Sequence, residues 1–393
     1  MSAHRPPVPL SPEPAAAPPR VLHVVESLGN GSVEAWLLRM AAHARLRRIP
    51  IDWTFYCQLP EAGAREPRAR DLGLRVLRSP LPIHRKLGFA RALHTTLATG
   101  GYQILHSHHD LLSGYYLAAG AGVPLRRRIV HVHNADEQVL TDHRLKRALL
   151  RPLLRQLSLR CADRIVANSH HCLDTFLAGC ARRRDRDGIH RYGIDASPFL
   201  NAAADRLQWR RALGLPAAAP ILLFLGRLTP EKNPLVAVEV LAALRRLRPD
   251  AIGVFVGSGS LSAAVERRLQ ELGLQDCSRM LGWRDDGAAI MAACDLFLLP
   301  RPEQPPEGFG MAVVEAQLAG LRLLLSRGVP PDPLLPTAVF RRLALAAGPE
   351  RWAAAAAALL AQPAPDRAAS LAAHRASAMD MDHALQQLLQ LHA

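Results

Sequence analysis

The sequence predicts an α/β fold in which two doubly wound parallel sheets face one another across a central cleft. Three observations predict it. Short apolar runs fit for buried strands alternate with longer segments of helical periodicity, the pattern of parallel sheets wrapped on both faces. The alternation runs as two series joined near Gly193–Arg210. The chain has 393 residues and 49% apolar composition, enough for two domains with full cores.

The elements follow in order. The Pro- and Ala-rich residues 1–20 lack periodicity and are expected to form a disordered arm. VLHVV (Val21–Val25) reads as a buried strand, and VEAWLLRMAAHARL as the helix after it. YQILHSH (Tyr102–His108), RRIVHVHN and ADRIVANS (Ala162–Ser169) repeat the strand pattern, with LLSGYYLAAGAG as an intervening helix. The second series begins near residue 219 with PILLFLGRL, AIGVFVGSGS and CDLFLLP as strands, separated by NPLVAVEVLAALRRL and SLSAAVERRLQELG as helices. The Ala-rich WAAAAAALLA and the final HALQQLLQL read as surface helices, because alanine favours helix without demanding function. The expected division is residues 21–200 and 201–393, with the last helices free to pack back on the first half.

Composition excludes several classes. No apolar run reaches the ~18–20 residues of a membrane-spanning helix, and the N-terminus lacks the apolar core of a signal peptide, so a cytoplasmic location is expected. Cys57, Cys161, Cys172, Cys180, Cys277 and Cys294 show no paired short spacing, which argues against a disulfide framework or a zinc site. The net charge of +15 comes almost wholly from arginine, since Lys86, Lys146 and Lys232 are the lysines. Such a field attracts nucleic acid, an anionic membrane face or phosphorylated ligands, and composition does not choose among them.

In open parallel sheets, ligands bind beyond the carboxyl ends of the strands, so the loops there carry the candidate chemistry. In PEGFGMAVVEAQLAG (Pro306–Gly320), Glu307 follows a strand, Gly308 and Gly310 let the backbone approach a ligand, and a helix begins near Gly310. A helix mouth attracts phosphate through its unpaired amides. Glu315, in the second turn, leans back toward that mouth and suits the paired hydroxyls of a ribose or sugar. In GRLTPEKNP (Gly226–Pro234), Arg227 and Lys232 can converge on one anion, the arginine through its fork and the lysine as a mobile point charge. Two fixed cations of this kind stabilise a departing diphosphate without metal.

Together these residues resemble the retaining glycosyltransferases of family 4, which have the GT-B fold of two Rossmann-like domains. The resemblance runs from Val21 to about Leu335. The family's E-x7-E pattern matches Glu307 and Glu315, its G-R-x-x-x-x-K pattern matches Arg227 and Lys232, and ADRIVANS matches the end of its first domain. It implies that Arg227 and Lys232 hold the donor diphosphate, that Glu307 faces the donor sugar and that Glu315 binds the ribose. GLRLLLSRGVPPDPLL resembles the branch acting in capsule and exopolysaccharide assembly. The implied donor is a UDP- or GDP-sugar with no further cofactor, and the implied acceptor a saccharide or lipid-linked saccharide. Nucleic acid is not an expected partner.

In HSHHD (His106–Asp110), His106 and His108 share a face of a strand that ends at the cleft. The resemblance puts the sugar-contacting histidine at His108. A metal is the rival reading, but no Cys or carboxylate cluster completes it. His131 and His133 are weaker candidates for the acceptor side. GNGSVE (Gly29–Glu34) lacks the third glycine of a dinucleotide fingerprint and is similar instead to the family's Gly-Gly-Val-Glu loop, with Gly31 and Ser32 near the donor. RYGID (Arg191–Asp195) has Tyr192 where the family has Asn. Phe309 joins the donor loop by position. The run His143–Arg160 alternates arginine and leucine around Pro152, so it is either a core-facing helix or a peripheral contact with an anionic membrane surface.

Overall fold

The structure is a computed structural model that describes residues 17–29, 31–135, 144–202 and 206–393, with the backbone alone at 144–148 and 201–202. Residues 1–16 of the expected arm, Asn30 of the first loop and His143 of the basic run lie outside the described residues.

The first half carries strands β1 (Arg20–Val25), β2 (Asp52–Cys57), β3 (Arg75–Arg78), β4 (Ile104–Ser107), β5 (Arg127–Val132), β6 (Arg164–Ala167) and β7 (Asp187–Ile189). Helices α1 (Ser32–Leu46), α2 (Glu66–Asp71), α3 (Lys86–Thr99), α4 (Ser113–Ala119), α5 (Arg144–Cys161) and α6 (His170–Leu177) connect them. Short α7 (Ser197–Ala202) and α8 (Arg206–Ala212) lead to the second half. There, β8 (Ile221–Leu225), β9 (Ile252–Val256), β10 (Ser278–Gly282), β11 (Leu296–Leu299), β12 (Arg322–Ser326) and β13 (Phe340–Leu343) alternate with α9 (Pro234–Leu247), α10 (Ser262–Glu271), α11 (Gly287–Ala293) and α12 (Met311–Leu318). The chain closes with α13 (Gly348–Leu360), α14 (Arg367–Arg375) and α15 (Met381–His392).

The sheets are ordered β3-β2-β1-β4-β5-β6-β7 and β10-β9-β8-β11-β12-β13, and their paired strands are parallel. Each order reverses direction once, between β1 and β4 and between β8 and β11, and such switch points leave a crevice beyond the strand ends. The loops expected to carry chemistry follow these four central strands. Strands such as ILLFL of β8 and LFLL of β11 are apolar on both faces because helices cover both.

One apolar core runs continuously from β1 and α1 through Tyr192, Ile194 and Phe199 to β12 and α12. Two satellite cores lie on the outer faces, one under α4 and α6, the other under α9 and α13. Three expectations need correction. Arg20, assigned to the arm, opens β1 and bonds Asp52 and the Gly100 carbonyl. α13 is not merely a surface helix, because Trp352, Ala353, Ala356 and Leu359 are buried in the core that also holds α9. The final HALQQLLQL likewise buries one face: Ala384, Leu385 and Leu388 pack into the main core.

α15 crosses onto the first half. Asp382 pairs with His43 of α1 and with Arg47 just past its end, His190 Nε2 meets the Ala384 carbonyl at 2.9 Å, and the Arg126 guanidinium donates to the Ala393 carbonyl. α5 divides its leucines, Leu154 entering the core while Leu149 and Leu153 stay 66% and 55% exposed. No helix among the described residues is long and apolar enough to cross a membrane. The six cysteines are free thiols.

Candidate active site

The second half supplies a concentration of cations around one carboxylate. Glu307 lies in the loop between β11 and α12, and its backbone N–H donates to the Gly328 carbonyl at 2.7 Å. Lys232, just ahead of α9, donates to both Glu307 oxygens, at 2.7 and 2.6 Å. Arg301, at the end of β11, stands 3.7 Å from the same carboxylate and is itself 9% exposed, held by the Pro305 and Pro306 carbonyls. Arg227 is exposed at the end of β8 and its charge also reaches Glu307. Burial alone pushes the Glu307 carboxyl up, yet Lys232 and Arg301, with Arg227 further off, hold it below the usual carboxylate range. Arg227 and Arg301 also act on the Glu231 carboxylate, so three cations meet two anions and the cluster keeps one positive charge in excess.

The helix mouth beside this cluster is built as the spacing predicts. Gly310 caps α12 with φ +91°, a left-handed conformation that glycine adopts without strain, and no side chain occupies the first amides. Glu315 is the half-buried acid of α12. Burial raises its pKa and Arg39 of α1 offsets part of that rise, so a residue of the first half faces the proposed ribose carboxylate. Arg39 also reaches the Met311 sulfur at 3.3 Å, which brings α1 against α12 across the cleft.

The loop Glu307–Gly310 docks onto the first half. The Ser169 hydroxyl donates to the Gly308 carbonyl at 2.6 Å while accepting from Cys172 N as the cap of α6. A Cβ on Gly308 would stand 2.3 Å from the His133 carbonyl oxygen, so only glycine allows this approach. Phe309 is 2% exposed and sits edge-on to Tyr192, with ring centroids 5.6 Å apart. Phe309 lies in the loop where the sequence placed it, and its ring anchors that loop in the core. Tyr192, the departure from the family pattern, also bonds His133 Nδ1 at 2.6 Å and packs on Trp36.

In the first half, Gly31 caps α1 with extended backbone and Ser32 is the first helical residue. His108 and His133 follow β4 and β5 and are nearly buried, at 7% and 3% exposed. His108 Nε2 pairs with His23 Nδ1 and His108 Nδ1 with His133 Nε2, both at 3.0 Å. A sugar hydroxyl therefore bonds His108 only if one of these pairs opens. Burial drives the pKa of His108 well down and that of His133 to about 3, so both rings are neutral.

The structure thus brings Lys232, Glu307 and Arg227 together and sets Gly308, Gly310 and Glu315 around one helix start. Gly31 and Ser32 stand at the start of the first-half helix that carries Arg39. Sequence reasoning missed Arg301, Arg39, Ser169 and Asn168. Of these, Arg301 had a signal in its place directly after an apolar strand. Asn168 had one in the quoted ADRIVANS, and its side chain donates to the His133 carbonyl at 2.8 Å.

Comparison with known proteins follows the same division. The profile described as Glycosyltransferase Family 4 matches residues 33–197, and Glycosyl transferases group 1 matches residues 205–374. The chain is 28% identical over 241 residues to the UDP-Gal:alpha-D-GlcNAc-diphosphoundecaprenol alpha-1,3-galactosyltransferase of Escherichia coli, covering 60% of each chain. To EpsF of Bacillus subtilis it is 25% identical over 315 residues, covering 79% of each. To the D-inositol 3-phosphate glycosyltransferase of Mycolicibacterium gilvum it is 31% identical over 245 residues, 59% of this chain and 52% of that one. Several of these matches thus span little more than half of the relative. Among solved structures, Anabaena Alr3699/HepE in complex with UDP superposes with a TM-score of 0.72 at 18% identity, over 94% of this chain and 98% of that one. A glycosyltransferase from Rickettsia africae superposes with a TM-score of 0.75 at 16% identity, over 95% and 98%. With its two parallel sheets, its carboxylate ringed by cations and a profile matched in each half, the chain belongs to glycosyltransferase family 4 and has the GT-B fold.

Proposed function

We propose that the protein transfers a hexosyl unit from a UDP- or GDP-sugar to a saccharide or lipid-linked saccharide, with retention of configuration, in cell-surface polysaccharide assembly. The observation that carries this reading is the cluster of Lys232, Arg301 and Arg227 around Glu307 at the switch point of the second sheet, beside the uncapped start of α12. The donor and acceptor classes draw further support from relatives. HepE has been solved with UDP-glucose, and the Escherichia coli relative is named for a UDP-galactose donor and a diphosphoundecaprenol-linked acceptor.

In the proposed reaction, the bond between the anomeric carbon and the diphosphate oxygen breaks as the acceptor oxygen bonds the same face. Negative charge grows on the departing diphosphate, and Lys232, Arg227 and the α12 amides meet it as fixed donors. Lys232 gives up its two bonds to Glu307 to do so, which frees that carboxylate for sugar hydroxyls. The acceptor proton passes to the departing phosphate oxygen. Glu315 takes the ribose, the Gly31–Ser32 turn closes over the diphosphate, and His108 with His133 forms the floor beneath the sugar. The cations supply the charge that a metal would otherwise provide.

A thermal-shift series with UDP-, GDP- and ADP-sugars tests the reading, because a ligand that binds only the folded chain raises its melting temperature. One nucleotide sugar should raise it, and Lys232→Ala should abolish the rise and lower kcat/KM by about 100- to 1,000-fold. No shift with any of the three, or a shift untouched in Lys232→Ala, would overturn it. Exposed Leu149 and Leu153 of α5, with Arg160 beside them, further lead us to propose peripheral contact with an anionic membrane, where a lipid-linked acceptor resides.

A further inference from the structure

Histidine is the one side chain that can offer a neutral nitrogen lone pair to a transition metal at neutral pH, and this chain buries several in one place. His106 and His108 alternate along β4 and its end, His131 and His133 along β5 and its end, so both pairs project from the same face of the sheet. Within each pair the rings stack at 4.3 Å between centroids, and His106 lies parallel to His131 at 5.4 Å. His23, on β1, is in register with His106. One ligand nitrogen each from His108, His131 and His133 lies within 4.8 Å of the others, and His23, His106 and His108 form a second such group.

We propose that His108, His131 and His133 form a three-imidazole site for a borderline transition-metal ion such as Zn2+, a structural site within the floor of the cleft that takes no part in the bond-breaking step. Three features of the geometry assign it to this triad. First, His131 is fully buried and neither of its ring nitrogens has a hydrogen-bond partner, a rarity for a buried polar group. Second, the other two rings already hold the bonds that orient a metal ligand. With His133 offering Nε2, its Nδ1 stays on Tyr192 at 2.6 Å; with His108 offering Nδ1, its Nε2 stays on His23 at 3.0 Å. Metal-bound imidazoles characteristically keep such a bond on the second nitrogen. The 3.0 Å separation of His108 Nδ1 and His133 Nε2 is close to the ~3.4 Å edge of a tetrahedron with Zn–N bonds of about 2.0–2.1 Å.

Third, of the two histidine groups this triad is the less deeply buried. His108 and His133 keep 7% and 3% exposure at the strand ends, whereas His23 and His106 have none. Three imidazoles suit Zn2+, Cu2+ or Ni2+ over Mg2+ or Ca2+, which prefer oxygen. The sequence reading sought a cysteine or carboxylate to complete a site at His108, but the structure completes it with imidazoles from the neighbouring strand. The His133 carbonyl lies under Gly308, so an ion here would tie the ends of β4 and β5 beneath the docked donor loop.

The test uses the untagged full chain, stripped with chelator and titrated with Co2+ and Zn2+. One equivalent should bind, Co2+ should give the ligand-field absorption of a four-coordinate nitrogen site, and Zn2+ should raise the melting temperature. His131→Phe, which keeps an aromatic ring but no lone pair, should weaken binding at least 10-fold, and His106→Phe should not. Binding that survives in His131→Phe, or is lost only in His106→Phe, overturns the assignment, as does the absence of stoichiometric binding. Should His131→Phe fail to fold, X-ray absorption of the zinc-loaded wild type and of zinc-loaded His106→Phe decides. Three imidazoles bound to zinc in both the wild type and His106→Phe support the site, and two or fewer in either sink it.

Discussion

Single side chains in this protein act by holding loops. Glu66 illustrates it away from the cations. Its carboxylate is almost fully buried and accepts from Arg78, Arg70 and the Gly63 N–H, while Arg65 N donates to the Leu28 carbonyl. The loop that follows β1 and leads to Gly31 is thereby fixed from behind. The Arg78 bond, foremost, holds the Glu66 carboxyl below the usual range. A depressed pKa contributes stability that is full above the unfolded value of about 4.3 and is lost as pH falls through the folded value. Glu66→Gln should therefore cost about 1–3 kcal/mol at pH 7, and the gap from wild type should narrow below pH ~4. Urea unfolding at both pH values checks this, and a gap that persists in acid would refute the mechanism. Arg301 shows the limit of reading single residues. Its place directly after an apolar strand put it near the cleft, but nothing in RPEQPPEG shows which way it turns; the Pro305 and Pro306 carbonyls hold it beside Glu307.

At the scale of elements, the Glu307–Gly310 loop is set by a close approach that only a missing Cβ permits. Gly308→Ala should push Glu307–Gly310 off the His133 carbonyl and displace Glu307 from Lys232. A modest loss of stability and a larger loss of donor affinity are expected, of the order of 10-fold or more, since a misplacement of about 1 Å can cost 100-fold. Isothermal titration with the preferred nucleotide sugar reads it, and unchanged affinity would dismiss the approach as incidental. The membrane reading belongs to α5. Each exposed leucine that enters an interface contributes about 1–2 kcal/mol, so Leu149→Glu with Leu153→Glu should weaken flotation with anionic vesicles by roughly 10- to 100-fold. Equal flotation of wild type and variant would end that proposal. The central strands and the helix start at Gly310 were legible because their apolar runs and glycines are local signals. β2, β3, β7, β10, β12 and β13 went unread, and LRLLLS of β12 shows why: a short apolar run fits strand or buried helix equally until pairing decides. His108 was legible as a residue of the cleft but not as a member of a stacked set, because the partners come from other strands.

The whole molecule is joined in two unlike ways. Across the cleft, beside the buried Phe309–Tyr192 pair, polar contacts join Ser169 to Gly308 and Asp332 to His170 N and Arg191. These can break and reform with ligand. Away from the cleft, α15 comes from the second half yet packs on the first, and Ile194 N bonds the Met379 carbonyl just before it. Gly193 marks how tightly this joint is packed, since a Cβ there would stand 3.0 Å from both Ala384 and the Met381 sulfur. Because the main core runs through both sheets and includes Leu385 and Leu388, unfolding of either half should expose surface that the other covers. The wild type is therefore expected to melt in a single calorimetric transition. Leu385→Ala with Leu388→Ala removes buried side chains worth about 2–5 kcal/mol each, on the helix that ties the halves. The first half, whose Met40 shares the core with these two leucines, should then melt first and split the transition in two. A single transition shifted by only a degree or two would mean that α15 is a passenger and that the joint between the halves lies in the cleft contacts alone.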